Sequence, residues 1–147
     1  MTKRKRADML MKGEAFEALE FLVTEEFNEN YLHAVEDLHP RYMQTTEAGP
    51  PMVHAALLIV FSNHTRSPSF HLDPGMAAIQ THDDLAYENP GRVGRTFRVT
   101  FDVIETYEKR GRPYQVVEAS IVDDRSTPVL TRRTTYTYTG GPYPGIS

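Results

Sequence analysis

The chain has 147 residues, 39% of them apolar and 24% charged, with a net charge of −4 and no cysteine. That is enough for one domain with a real core, and it excludes disulfides, thiolate nucleophiles and cysteine-ligated zinc. No apolar run approaches the ~20 residues of a membrane span and no signal-peptide pattern opens the chain, so a cytoplasmic protein with no membrane partner is expected. The acidic balance argues against nucleic acid as a partner.

Lys3, Arg4, Lys5 and Arg6 stand in a row near the start. They read as part of a flexible basic N-terminus covering residues 1–12. Residues 19–24, LEFLVT, are short, apolar and β-prone and predict a first strand. Thr24 then offers a helix cap, with Glu25 and Glu26 in the first turn where the helix dipole favours negative charge. Residues 26–38 carry apolar side chains at Phe27, Tyr31, Ala34, Val35 and Leu38, the spacing of a helix with one buried stripe, and Pro40 ends it.

Gly49, Pro50 and Pro51 break the chain again. From residue 52 to 61 nearly every residue is apolar, which predicts a helix buried on all sides. A buried strand fits the same run, but Ala55, Ala56, Leu57 and Leu58 favour helix. SPSFHLDPG is a loop by its prolines and glycine. Residues 76–87 are expected to form a strand. Residues 96–104 place Phe97, Val99, Phe101 and Val103 on one face of a strand and Arg98, Thr100 and Asp102 on the other. EKRGRP and DDRSTP are turns, and residues 114–122 and 129–139 are two further strands. Residues 141–147 read as a loose tail. Strands segregated from helices mean an α+β protein, with an antiparallel sheet that must cover an apolar helix.

That layout resembles the hotdog fold, an antiparallel sheet wrapped around a central buried helix. Three stretches carry a closer resemblance to the MaoC-like hydratases and dehydratases, above all to the N-terminal MaoC-like dehydratase branch: LEFLVTEEFNENYLHAVEDLHPRY, AGPPMVHAALL and GRVGRTFRVTFDVIETYEKRGRPYQVVEASIVDD. The resemblance implies a single hotdog domain over residues 13–140. Catalytic members carry the turn Gly-Asp-x-Asn-Pro-x-His, whose aspartate and histidine are the acid/base pair. Here Asp37 and Pro40 match, Glu36 replaces the glycine, His39 the asparagine and Tyr42 the histidine. In the resembling branch the turn often ends in tyrosine, and a domain may be the non-catalytic half of a pair.

The implied activity is (R)-specific hydration of an enoyl thioester, or dehydration of the 3-hydroxyacyl thioester, on coenzyme A or acyl carrier protein. Such chemistry needs two proton transfers and a donor for the enolate oxygen. A phenol is a poor base near neutral pH, so Tyr42 is expected to contact substrate as a hydrogen-bond donor. Asp37, with His39 or His54, is the candidate catalytic set. The resemblance places the oxyanion contact at the Ala55 amide and lines an acyl tunnel with Leu57 and Phe61. It implies no cofactor. It also implies a homodimer, or a heterodimer with a related hotdog chain. His33, Asp37 and His39 have a spacing that can hold zinc, but the remaining histidines lie on separate segments, and no metal is expected. A non-catalytic hotdog subunit and a small-molecule binder are the alternatives. A thioesterase would need a carboxylate on the central helix, and residues 52–61 have none.

Overall fold

The alternation of residues 97–103 decides the sheet. In a computed structural model, which describes residues 5–140, Phe97, Val99, Phe101 and Val103 are all at most 1% exposed. Five strands pair antiparallel throughout: β1 (Ala15–Leu22), β2 (Met76–Tyr87), β3 (Thr96–Lys109), β4 (Arg112–Asp123) and β5 (Pro128–Gly140), in the spatial order β1-β3-β4-β5-β2. Both expected turns connect the last three strands. The first, Arg110-Gly111, has positive φ at both residues, the geometry that matches the twist of a two-residue hairpin. In the second, the Asp123 carboxylate accepts the N–H groups of Arg125 and Thr127, both at 2.9 Å. β1 starts earlier than its apolar core suggests, because Ala15 and Phe16 already pair with Asp102 and Phe101 ahead of a bulge.

Helix α1 (Glu25–Ala34) begins as expected, with the Thr24 hydroxyl accepting the Phe27 N–H at 3.1 Å. Its buried side is not the expected stripe. Asn28 and Leu32 face inward, while Phe27, Val35 and Leu38 are 43%, 44% and 50% exposed. The Asn28 amide donates to the Tyr42 carbonyl at 2.8 Å, and that bond lets a polar residue take the inner face. The helix also stops before residue 38. The Glu36 N–H reaches the His33 carbonyl and the Asp37 N–H reaches the Leu32 carbonyl, with Glu36 left-handed at φ 57°. This is a Schellman motif, with glutamate where glycine is usual. Pro40 opens a second short helix, α2 (Pro40–Met43), since its fixed φ suits a first helical position.

The central helix, α3, runs over Ala55–Phe61. Met52 and Val53 are extended, bonded to the segment around Gly91 and Arg92, and this delays the helix start. Leu57 and Leu58 pack into the core with Phe97 and Val99, but Ala55 and Val60 are exposed. The expectation of burial on all sides therefore fails for the single chain: the sheet covers one side of α3 only. The far end of α3 is tied down by Arg132, which the sequence reading did not single out. This arginine is buried, donates to the Ile59 carbonyl at 2.8 Å and makes a two-pronged ion pair with Asp83 at 2.8 and 2.9 Å. A cation there complements the negative end of the helix dipole.

Residues 7–10 also depart from expectation. They form a 3-10 turn over Ala7–Met9, bury Ala7 and Leu10, and take two hydrogen bonds from the Gln115 amide, both at 3.0 Å. Lys3, Arg4 and the expected tail at 141–147 lie outside the described residues.

Candidate functional site

The end of α1 delivers Asp37, and the start of α3 delivers its partner. Asp37 Oδ1 accepts the His39 backbone N–H at 3.3 Å, closing a local turn. The His39 ring is used as the cap of α2, its Nδ1 accepting the Arg41 N–H at 3.1 Å. His54 caps α3 in the same way, its Nδ1 accepting the Ala56 N–H at 3.1 Å. A nitrogen that accepts carries no proton, so the His54 proton sits on Nε2. That atom lies 2.9 Å from Asp37 Oδ2. The hydrogen bond from His54 is the main reason the Asp37 carboxyl is held below its usual range. Burial opposes it as the next largest effect, and the His39 N–H and the charge of Arg41 add to the lowering. Tyr42 is buried against the pair, its ring 4.8 Å from the His54 ring.

Next to Tyr42 lies a cavity of about 280 Å³, lined by Tyr42, Met52, Val53, Ala55, Leu58 and residues 87–91; Asp37 and His54 do not line it, although the two sequence neighbours of His54 do. The Tyr87 hydroxyl donates to the Ala55 carbonyl at 3.3 Å and closes one wall. The Val53 N–H donates to the Gly91 carbonyl at 2.7 Å and fixes the loop of residues 88–91 across the helix start. Gly91 is closely packed there: a Cβ would sit 3.2 Å from the Phe97 ring, which would have to give by a few tenths of an ångström.

Of the residues singled out in the sequence, Asp37, His54, Tyr42 and Ala55 come together. His39 does not join them through its ring, which meets only the edge of Tyr42 at 6.2 Å. Leu57 points into the core rather than the cavity. Phe61 stacks on Phe21 at 4.0 Å, also away from the cavity. Leu58, Tyr87 and the loop after it line the cavity and were missed. Asn89 and Pro90 stand just before, and Gly91 opens, a stretch that carries the family resemblance. Their place at the site depends on the pairing of β2 with β5, which local pattern does not reveal. Among the described residues, no three of His, Asp and Glu gather to hold a metal ion.

No protein-family model matches the sequence, and no curated protein matches it. Solved structures do. The MaoC-like dehydratase of Rhodospirillum rubrum aligns at TM-score 0.75 and 15% identity, over 94% of this chain and 99% of that one. The chain has the hotdog fold. The (R)-hydratase PhaJ1 of Pseudomonas aeruginosa aligns at TM-score 0.72 and 14% identity, over 90% of this chain and 86% of that one. The (3R)-hydroxyacyl-ACP dehydratase complex HadBC of Mycobacterium tuberculosis aligns at TM-score 0.67 and 17% identity, over 88% and 98%. The hotdog architecture accounts for the one-sided α3, since the sheet wraps it from a single side. Among the described residues, no helix of this hotdog chain is long and apolar enough to cross a membrane.

Proposed function

We propose that this chain hydrates trans-2-enoyl thioesters, and reversibly dehydrates 3-hydroxyacyl thioesters, on coenzyme A or acyl carrier protein. One observation carries the reading: the Asp37–His54 pair, closed at 2.9 Å and packed against Tyr42, which lines a mainly apolar cavity at the head of α3. His54 spends both ring nitrogens, one on Asp37 and one on Ala56. Its role is to orient the carboxylate. Asp37 is then the proton carrier. Water adds its oxygen to the β-carbon as its proton passes to Asp37, and the carboxylic acid so formed delivers a proton to the α-carbon. The carboxylate is regenerated and one water is consumed. Covering by substrate raises the carboxylate's basicity toward the working range. The developing enolate oxygen is met by the Ala55 N–H at the start of α3. Tyr42 and Tyr87 hold the thioester against that amide.

A second chain belongs to this reading. β2 is a twelve-residue edge strand with Ile79 and Tyr87 exposed, and Val60 on the open side of α3 is exposed as well. Such an edge calls for cover, and a second hotdog chain, identical or related, supplies it. A cytoplasmic location is expected. The position of Tyr42 favours one other reading: the chain is the non-catalytic partner in a heterodimer. Two structures with this fold are themselves complexes, HadBC and ChsH1–ChsH2 of Mycobacterium tuberculosis.

The deciding experiment is hydration of short and medium trans-2-enoyl-CoA by the purified chain, followed by loss of the conjugated thioester absorbance. Asp37→Asn is expected to lower kcat by roughly 10²–10⁴-fold with folding intact. A folded oligomer without turnover would reject the enzyme and support the partner-subunit reading.

A further inference from the structure

Buried polar atoms without a partner are few in a folded chain, and each asks for a physical account. Among the described residues three side-chain atoms stand so: His64 Nδ1, His71 Nδ1 and Asn28 Oδ1. Asn28 is 3% exposed. The orientation of its amide is fixed, because the group it meets at 2.8 Å is the Tyr42 carbonyl, which can only accept. Nδ2 must therefore point there, and Oδ1 is the end left over.

Asn28 also belongs to the wall of a second, smaller cavity of about 170 Å³, with Glu25, Glu29, Met43, Thr45, Pro51 and Val93. None of these residues lines the cavity at the head of α3. Glu25, Asn28 and Glu29 stand at i, i+3 and i+4 of α1, so the helix turns all three toward one side. The wall is mainly polar and holds no Lys, Arg or His. Neither glutamate is in an ion pair among the described residues. Two carboxylates and one desolvated amide oxygen thus converge with no positive charge to meet them. A water could satisfy Oδ1, but only a cation answers all three.

The donors are all oxygens, which selects a hard cation over zinc or copper. Calcium accepts amide, hydroxyl and carboxylate oxygens in flexible geometry and fills its remaining positions with water, whereas magnesium demands a strict octahedron. Calcium also approaches an oxygen to about 2.3–2.6 Å, closer than a hydrogen-bonded water at about 2.8 Å. It therefore suits an oxygen recessed from solvent. We propose that Glu25, Asn28 and Glu29, with the Thr45 hydroxyl, bind a divalent cation of the calcium type. One end of the Asn28 amide then holds the Tyr42 carbonyl and the other holds the ion, so that occupancy clamps the first turns of α1 to the segment after α2. The site is independent of the thioester reading.

The test is calorimetric titration of the metal-free chain with calcium chloride and with magnesium chloride, for the wild type and Glu25→Gln/Glu29→Gln, two changes at exposed positions. The wild type should bind calcium with a Kd of about 10⁻⁴–10⁻³ M, the weak end expected of a site with two carboxylates, and magnesium about tenfold more weakly. The glutamine pair should weaken calcium about tenfold or more. In thermal unfolding, about 10 mM calcium should raise the wild-type Tm by about 3 °C or more and leave the glutamine variant unmoved. Asn28→Leu keeps both carboxylates and removes the amide oxygen, and it should lose the response as well; where it does not fold, the glutamine pair decides. Absence of calcium binding by the wild type overturns the proposal and leaves water as the partner of Oδ1. Equal responses to calcium and magnesium, or a response unchanged in the glutamine pair, also overturn it and trace the effect to screening of a chain with net charge −4.

Discussion

Lowering the pH from 7 to 4.5 should cost the folded chain about 3 kcal/mol at a single residue, His64. This histidine is 1% exposed and sits among the rings of Phe16, Phe70 and Tyr136, at 5.2, 5.0 and 4.0 Å. Its proton is placed by a chain of hydrogen bonds. The Gln115 amide nitrogen donates to Ala7 and Leu10, so its oxygen is the acceptor for the Tyr138 hydroxyl at 2.7 Å. The Tyr138 oxygen then accepts from His64 Nε2 at 2.8 Å. His64 Nδ1 is buried with no partner among the described residues, so a second proton would have nothing to bind. Burial first, and the charge of Arg132 second, push the His64 pKa down to about 3. The unfolded chain titrates near the ordinary ~6.5. Between those values the unfolded state binds the extra proton and the folded state does not. The contribution is full above pH 6.5 and is lost as pH falls toward 3. At pH 4.5 the window has been crossed by two pH units, which gives about 3 kcal/mol. That is a large share of a typical total of about 5–15 kcal/mol.

The assay is urea unfolding followed by circular dichroism at pH 7 and 4.5, for the wild type and His64→Phe. Phenylalanine keeps a ring in the aromatic cluster and removes the titration. Asp37 and Asp123, whose pKa values are lowered, also destabilise the fold as pH falls, but both proteins share them. The wild type should therefore lose about 3 kcal/mol more than the variant. Equal losses in the two proteins would refute the reasoning.

Removing Arg132 should be costly. Arg132→Ala leaves Asp83 partly buried without its partner and frees the Ile59 carbonyl, so a loss of about 3–5 kcal/mol is expected in thermal or urea unfolding. Arg132→Met combined with Asp83→Leu should lose clearly less, because no uncompensated charge remains. Glu36→Gly should instead raise stability by about 0.5 kcal/mol, since glycine relieves the left-handed strain at φ 57° by more than it costs in chain entropy; a fall in the urea midpoint would contradict that. At the site itself, His54→Ala is expected to lower turnover less than Asp37→Asn, because it removes an orienting bond and leaves the proton carrier. Equal or greater loss would move the proton-carrying role to His54.

The strand from residue 96 onward was legible because its alternation is a local property. A strand that buries one face repeats every second residue, and Phe97 to Val103 do so without interruption. Thr24 as a cap was legible for the same reason, since a cap acts within its own turn. The identity of the buried face of α1 was not local. Apolar spacing pointed to Phe27 and Val35, yet Asn28 took the inner side because the Tyr42 carbonyl, fourteen residues on, stood there to accept its amide. The site divides along the same line. Asp37, Tyr42, His54 and Ala55 were recognised from stretches that resemble a known family. Which histidine ring hydrogen-bonds Asp37 is a matter of tertiary structure. His39 is nearer in sequence, but its ring is consumed in capping α2, whereas the start of α3 carries His54 Nε2 to within 2.9 Å of the carboxylate. Periodicity thus fixed the elements, because it reports the surface each one presents to its own neighbourhood. The pairing of Asp37 with His54, the bond between Arg132 and the end of α3, and the loop around Gly91 were decided by chain segments far apart in sequence, whose meeting depends on how the whole sheet closes over the helix.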